Sequence, residues 1–513
     1  MMVVADVKGS QSRESKVVAR AATVTTLLFI AGSASGFARD LLLANLFGAG
    51  AGTDAFMVAW SVPETAAPLL IEGALSFLLI PYFSRAVEAG QSLNHVVWAM
   101  LPKAAFALVL LTGVTAAAAP LITRAIAPGM QEHALASQSM QVISLTVLGF
   151  GLTGLCSAAL RTQKIFGPAA AIYLVYNAAI IAAIAIGHDR WGIISAAYGV
   201  ALGSLLMVLI QAPALLTHVG PPVRSRYHTA IPWMLFAPIA VYTLVRQAQV
   251  FVERFVGSSL PAGSISYLNY AQKIAQVPMV ASLVLATISF PLLARSLAAG
   301  DHAAAARRVM ADARVAATLV LLSTAFFVAH APDVVGLLLE HGAFTAADTQ
   351  ATAWSLRLYC LGLMGQALVG VLCRVYFCGT RPAWYPALVM AAGLIVTGLA
   401  APLLTAPLGV GGIALANAAG ISLTALLLLR GMRGPIRVFP QAALLSTLAR
   451  LSVAAAAAAG GAFLLRPVSA TWPLAVAVPF EAVVTTALFA VGAVLTGCRR
   501  DLSLTLRRGG EES

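Results

Sequence analysis

Charge is what this sequence lacks most. Of its 513 residues 10% are charged and 60% hydrophobic, with a mean hydropathy of +0.89, whereas a soluble domain carries about 25% charged residues. That excludes an ordinary water-soluble enzyme and points to an all-α polytopic membrane protein. Cysteine is also scarce. Cys156, Cys360, Cys373, Cys378 and Cys498 are scattered, with no CxxC or Cys/His ligand spacing, so buried, inert thiols are expected rather than a disulfide framework or a cysteine zinc site. No catalytic triad, metal cluster or ATPase motif is recognisable. GAGAG at 48–52 lacks the GK[ST] that completes a phosphate loop and follows an apolar helix instead of a strand. No cofactor or metal is therefore expected, and any work the chain does across a membrane would draw on an ion gradient or the membrane potential.

What is there is apolar length. Segments such as Ala104–Pro120 and Leu474–Val494 approach or exceed the roughly 20 residues a helix needs to cross the hydrocarbon core. Division at Gly, Pro and charge clusters gives about fourteen spans by that length rule. The expected organisation is a polar cytosolic tail at 1–20, an N-lobe at 21–220, a C-lobe at 227–430, two additional spans at 441–497 and a cytosolic tail at 498–513. The first stretch has no small-residue cleavage site and does not read as a signal peptide.

The formal charge of +13 would suggest nucleic acid in a soluble chain, but here its placement matters more. With a cytosolic N-terminus, the loops of that side carry residues such as Lys8, Arg13, Arg85, Arg161, Arg295 and Arg433, and the opposite loops only Arg124, Arg190 and Arg466. This is the positive-inside pattern, with both termini cytosolic and no nucleic-acid partner.

The chain also contains an internal repeat. Aligning Phe37–Gly48 with Val252–Gly263 places Arg39 on Arg254 and Gly48 on Gly263, and Val62-Pro63 on Val277-Pro278. The paired spans run in the same direction, so the expectation is two parallel-repeat lobes around a central cleft.

Within this apolar background a few charges stand out. An ionised residue near the bilayer centre costs at least about 2.5 to 3.5 kcal/mol and usually faces a cavity or a partner. Arg39 and Asp40 are the leading candidates. Adjacent residues point about 100° apart on a helix, so their partners are expected on another helix or a ligand. Glu253, Arg254, Lys273, Glu64 and Glu72 are the companions considered. Asp54, after Thr53, suits the start of the second helix as well as a substrate contact. Pro63 and Pro278, inside spans, are candidate hinges.

GFARD (Gly36–Asp40), FGAG and TDAF (Phe47–Gly50, Thr53–Phe56), EGA (Glu72–Ala74) and GSISYLNYAQK (Gly263–Lys273) resemble the MurJ/MviN family of the multidrug/oligosaccharidyl-lipid/polysaccharide exporter superfamily. The resemblance implies a flippase of the bacterial inner membrane. It would move an undecaprenyl-pyrophosphate-linked glycan, by default lipid II, from the inner to the outer leaflet by alternating access. The partners implied are that lipid, the bilayer and cell-wall or polysaccharide synthesis enzymes. It places Arg39 and Asp40 in a central cavity with Asp54 and Glu72 as acidic positions, and puts Lys273 where the family usually has Arg; the repeat adds Arg254. Ser33 and Ala67 stand where the family carries two further cavity arginines. The alternatives are a flippase of another polyprenyl-linked oligosaccharide for exopolysaccharide or surface glycan export, a non-transporting membrane scaffold, and a cation-coupled drug antiporter. An antiporter calls for an acid-dominated site, and the charges here are at least as basic as acidic.

Overall fold

A computed structural model describes the backbone of residues 2–72, 74–221, 223, 233–378, 383–436 and 438–498; the side chains of 2–22, 72, 74, 76–77, 233–236, 280–288 and 290–291 are outside the description. All regular structure among the described residues is helical. The order is α1 (Met2–Phe47), α2 (Ala51–Ala67), a π-helical turn (Pro68–Glu72), α3 (Ala74–Glu88), α4 (Leu93–Ala117), α5 (Ala119–Ile126), α6 (His133–Ile143), α7 (Leu145–Thr162), α8 (Gly167–Trp191) and α9 (Ile194–His218). There follow α10 (Trp233–Gly257), α11 (Ser264–Ala298), α12 (His302–Leu339), α13 (Ala346–Cys360), α14 (Leu363–Phe377), α15 (Tyr385–Leu408), α16 (Val410–Gly431), α17 (Gln441–Ser469) and α18 (Leu474–Leu495).

Ten helical stretches among the described residues are long and apolar enough to cross a membrane, α6 and α7 together forming one. The α13–α14 pair, bent by 46°, makes an eleventh. The remaining expected spans fall on α2–α3, α10 and α11, which carry many of the intramembrane charges or include residues outside the description. Large apolar side chains such as Phe106, Ile186, Leu403, Leu464 and Leu495 are exposed, as a lipid-facing surface requires. Residues 2–20, within the stretch expected as a cytosolic tail, are helical and continuous with the first span in α1.

The chain divides into two compact units. One comprises 1–43, 58–124 and 132–236; the other comprises 44–57, 125–131 and 237–513. The boundary differs from a simple N-half and C-half, because the end of α1 and the start of α2 belong to the second unit.

In the first unit α7 packs on α3, α4 and α9, and α8 lies along α9. Its core joins Leu79, Phe83, Val96, Val97, Leu155 and Leu160, all buried. In the second unit α12 is central, touching α11, α13, α14, α17 and α18, while α15 pairs with α16. Small residues let that last pair approach: a Cβ on Gly393 would lie 2.6 Å from the Gly420 carbonyl oxygen. Close packing of this kind replaces the hydrophobic effect as the cohesive term where the surroundings are lipid. The five cysteines are free thiols, Cys378 half-buried and the rest buried.

Candidate functional site

Arg39 and Asp40 are both buried, 7% and 5% exposed. Contrary to the expectation from helix geometry, they pair with each other: Arg39 Nε and Nη2 donate to Asp40 Oδ1 at 2.9 and 2.7 Å. The 100° rule concerns Cβ directions, and the long arginine side chain folds back far enough to reach its neighbour. The other expectation, a partner on another helix, holds too. Arg39 Nη1 donates to Asn177 Oδ1 on α8 at 2.9 Å, and its guanidinium carbon lies 4.5 Å from the centroid of the Trp60 ring on α2.

Asn177 is fixed in turn, its Nδ2 donating to the Gly32 carbonyl at 3.1 Å. Gly36 makes room for it, since a Cβ there would sit 3.2 Å from Nδ2. The glycine that opens GFARD thus admits the side chain that orients its arginine. Tyr176 stacks edge-on with Phe150 and lies 6.4 Å, ring to ring, from Trp60, so the arginine rests on a packed aromatic group. Three of the five guanidinium N–H groups are engaged in these bonds.

Asp54 lies at the start of the second helix, α2, as expected. Its carboxylate closes the N-terminus of α11. Oδ2 accepts from the Gly263 N–H at 2.7 Å, and Oδ1 accepts from the Ser266 N–H at 2.8 Å and the Ser266 hydroxyl at 2.6 Å. A negative charge here satisfies donors that a helix leaves orphaned and complements its dipole.

Arg254 is close enough to act electrostatically on Asp54 and is 1% exposed. Arg254, aligned with Arg39 by the repeat, lies in the last turn of α10, which ends at Gly257. The aligned glycines do share left-handed backbone, with φ of +62° at Gly48 and +95° at Gly263. The adjacent Glu253 accepts a hydrogen bond from Asn417 on α16.

Lys273 is half-buried on α11. The Glu72 side chain lies outside the described residues; its backbone closes the π-turn. Pro63 sits inside α2, and Pro278 within α11. The break in the second span comes at the π-turn, which Pro68 opens. Proline lacks the N–H that would bond the carbonyl four residues back, so Pro63 and Pro68 together weaken this stretch of helix. The structure therefore assembles Arg39 with Asp40 in the first unit and Asp54 with Arg254 in the second.

Sequence reasoning missed Asn177 and Trp60, which are ordinary residues of their helices and carry no motif. It also missed a cluster of His330, Asp333, Arg466 and Glu481, for which the isolated Glu481 in an apolar span was an available signal.

The fold and its buried charges define a multi-span helical membrane protein. Its fold is that of a solved structure titled lipid II flippase MurJ, inward closed conformation, with a TM-score of 0.77 at 21% identity over 94% of this chain and 99% of that one. An inward-facing multidrug resistance MATE family transporter of the MOP superfamily also shares it, with a TM-score of 0.70 at 14% identity over 82% and 98% of the two chains. Residues 43–481 match the family model described as lipid II flippase MurJ, and the chain belongs to that family. A relative from Burkholderia cenocepacia, named lipid II flippase MurJ, is 28% identical over 416 residues, covering 78% of this chain and 80% of its own.

Proposed function

We propose that this protein flips an undecaprenyl-pyrophosphate-linked glycan, lipid II, from the inner to the outer leaflet of the bacterial cytoplasmic membrane by alternating access, with both termini cytosolic. Family membership supports the reading, and one observation carries the chemistry: the buried Arg39 guanidinium is held by Asp40 and Asn177 against Trp60. A planar fork fixed in advance is suited to bidentate recognition of pyrophosphate, and its orientation is settled before the headgroup arrives. Asp40 offsets the arginine charge and so limits the excess positive charge of the empty site.

In this reading Lys273 and Arg254 supply further cationic contacts, Glu72 an acidic one, and Pro63 and Pro278 the bending positions. Asp54 acts through the helix it closes. The carrier performs no covalent chemistry and binds no cofactor; its partners are the lipid-linked glycan, the bilayer and the enzymes that make or use that glycan. The membrane potential or an ion gradient returns it, since one charge crossing 100 mV is worth about 2.3 kcal/mol.

A second reading has its own support. Ser33 donates its hydroxyl to the Phe29 carbonyl at 3.0 Å, and Ala67 has no polar group, so neither replaces an arginine. A flippase for another polyprenyl-linked oligosaccharide needs less grip on the pyrophosphate and more on its sugar.

Depletion of the protein in its own cell, followed by identification of the lipid-linked intermediate left on the cytosolic leaflet, tests both. Lipid II that builds up, relieved by wild type and not by Arg39→Ala, is the expected result. A different glycan selects the second reading, and no accumulation rejects both.

A further inference from the structure

The His330 cluster lies in the second unit, built from α12, α17 and α18. Its imidazole is 2% exposed, and the Glu481 carboxylate 4%. Neither ring nitrogen of His330 has a hydrogen-bond partner, nor does Oε2 of Glu481, although Nδ1 and Oε2 are 3.1 Å apart. The same Nδ1 lies 3.9 Å from Oδ2 of Asp333. One ligand atom from each of the three residues falls within 4.8 Å of the others.

The backbone is arranged to produce this. His330 has non-helical φ and ψ of −117° and 19°, and Pro332 follows it, so α12 bends where the imidazole turns toward α18. The other carboxylate oxygen of Glu481 accepts from the Ser469 hydroxyl at 2.7 Å, which fixes its orientation. Asp333 is held by Arg466, whose Nη2 donates to Oδ2 at 2.8 Å.

We infer that His330, Asp333 and Glu481 form a binding site for a zinc-class divalent cation that joins α12 to α18. Zinc bonds of about 2.0–2.2 Å to nitrogen and oxygen set neighbouring ligand atoms roughly 2.9–3.4 Å apart at angles of 90–110°. The separation of Nδ1 and Oε2 falls in that range while lacking the alignment of a hydrogen bond. One imidazole with two carboxylates suits a borderline metal over calcium or magnesium, which prefer all-oxygen sets. Ser469 is then the outer partner that orients a ligand.

Arg466 is the built-in competitor. It neutralises Asp333 in this structure, and a cation would have to share or displace it; Arg357 is the other nearby cation acting on His330. Two carboxylates and a neutral imidazole balance a divalent charge only when the guanidinium withdraws.

The experiment uses the full-length, tag-free protein in lipid nanodiscs, stripped with chelator. It is titrated with Zn²⁺ by calorimetry and with Co²⁺ by visible absorption. Wild type is expected to take up one equivalent and to give a Co²⁺ ligand-field band. Glu481→Gln and His330→Gln should bind at least about tenfold more weakly, as loss of a ligand exceeds the 10- to 100-fold effects of outer-shell changes. Arg466→Gln, which removes no ligand, should bind several-fold more tightly. No uptake by wild type overturns the site, as does equal affinity in the ligand variants. Should those variants fail to fold, Arg466→Gln decides: unchanged or weaker binding overturns the site.

Discussion

Asp54 and Ser266, far apart in the chain, are joined by two hydrogen bonds: one carboxylate oxygen accepts from both the backbone N–H and the hydroxyl of Ser266. The first turn of α2 thereby closes the start of α11. Asp54→Ala leaves the Ser266 and Gly263 donors buried without this acceptor. Bonds to a charged acceptor are worth about 1.5–3 kcal/mol, so a loss on the order of 3 kcal/mol is expected, while Asn should recover part of it. Thermal unfolding of the purified protein checks this. Unchanged stability with abolished transport would instead assign Asp54 to the substrate.

Arg39 depends on Asn177 for its direction. Arg39→Lys keeps the charge but cannot make the forked contacts, and Arg39→Ala removes both; a drop in flipping of about tenfold or more is expected for each, on the scale of a lost charge-assisted bond. Asn177→Ala should cost less, because Asp40 still holds Nε and Nη2. Flipping measured by accessibility of the lipid-linked glycan to an outer-leaflet probe gives the order. Equal activity in Arg39→Ala and wild type would remove the arginine from the mechanism.

The membrane class, the helical architecture and the family were legible because hydropathy and short motifs are local properties. GFARD and GSISYLNYAQK are contiguous, and both mark positions that matter in the structure: Gly36 beside Asn177, Gly263 and Ser266 beneath Asp54. The partners were not legible, since they come from helices distant in sequence. Asn177 is one polar residue in an apolar helix, and nothing in its neighbours states that Arg39 reaches it. The pairing of Arg39 with Asp40 was misjudged for a different reason: side-chain length overrides the direction of Cβ.

Gly154 on α7 presses on the π-turn. A Cβ at that position would lie 1.8 Å from the Leu70 carbonyl oxygen, a backbone atom that cannot swing away as a flexible side chain would. Gly154→Ala must displace either α7 or the turn that ends in Glu72. Overpacking of a tight core typically costs about 1–3 kcal/mol. Lower melting temperature together with reduced flipping is the expected outcome, measured on protein purified in parallel with wild type. A variant with wild-type melting and transport would show that the turn yields without consequence for α7.

The connection after α1 is held by a second close approach. The Ala343 N–H donates to the Asn45 carbonyl at 2.7 Å, and Gly48, at φ +62°, brings its backbone against the Ala343 carbonyl, where a Cβ would lie 2.5 Å away. Gly48 therefore meets two demands that only glycine satisfies, a left-handed backbone and absence of a side chain. Gly48→Ala should be destabilising by at least about 1 kcal/mol from the left-handed backbone alone, with the steric contact added. Gly50, in the same connection, has open space around its would-be Cβ, so Gly50→Ala is the matched control and should melt close to wild type. Equal melting of the two variants would mean that neither the left-handed backbone of Gly48 nor its contact with Ala343 constrains the end of α1.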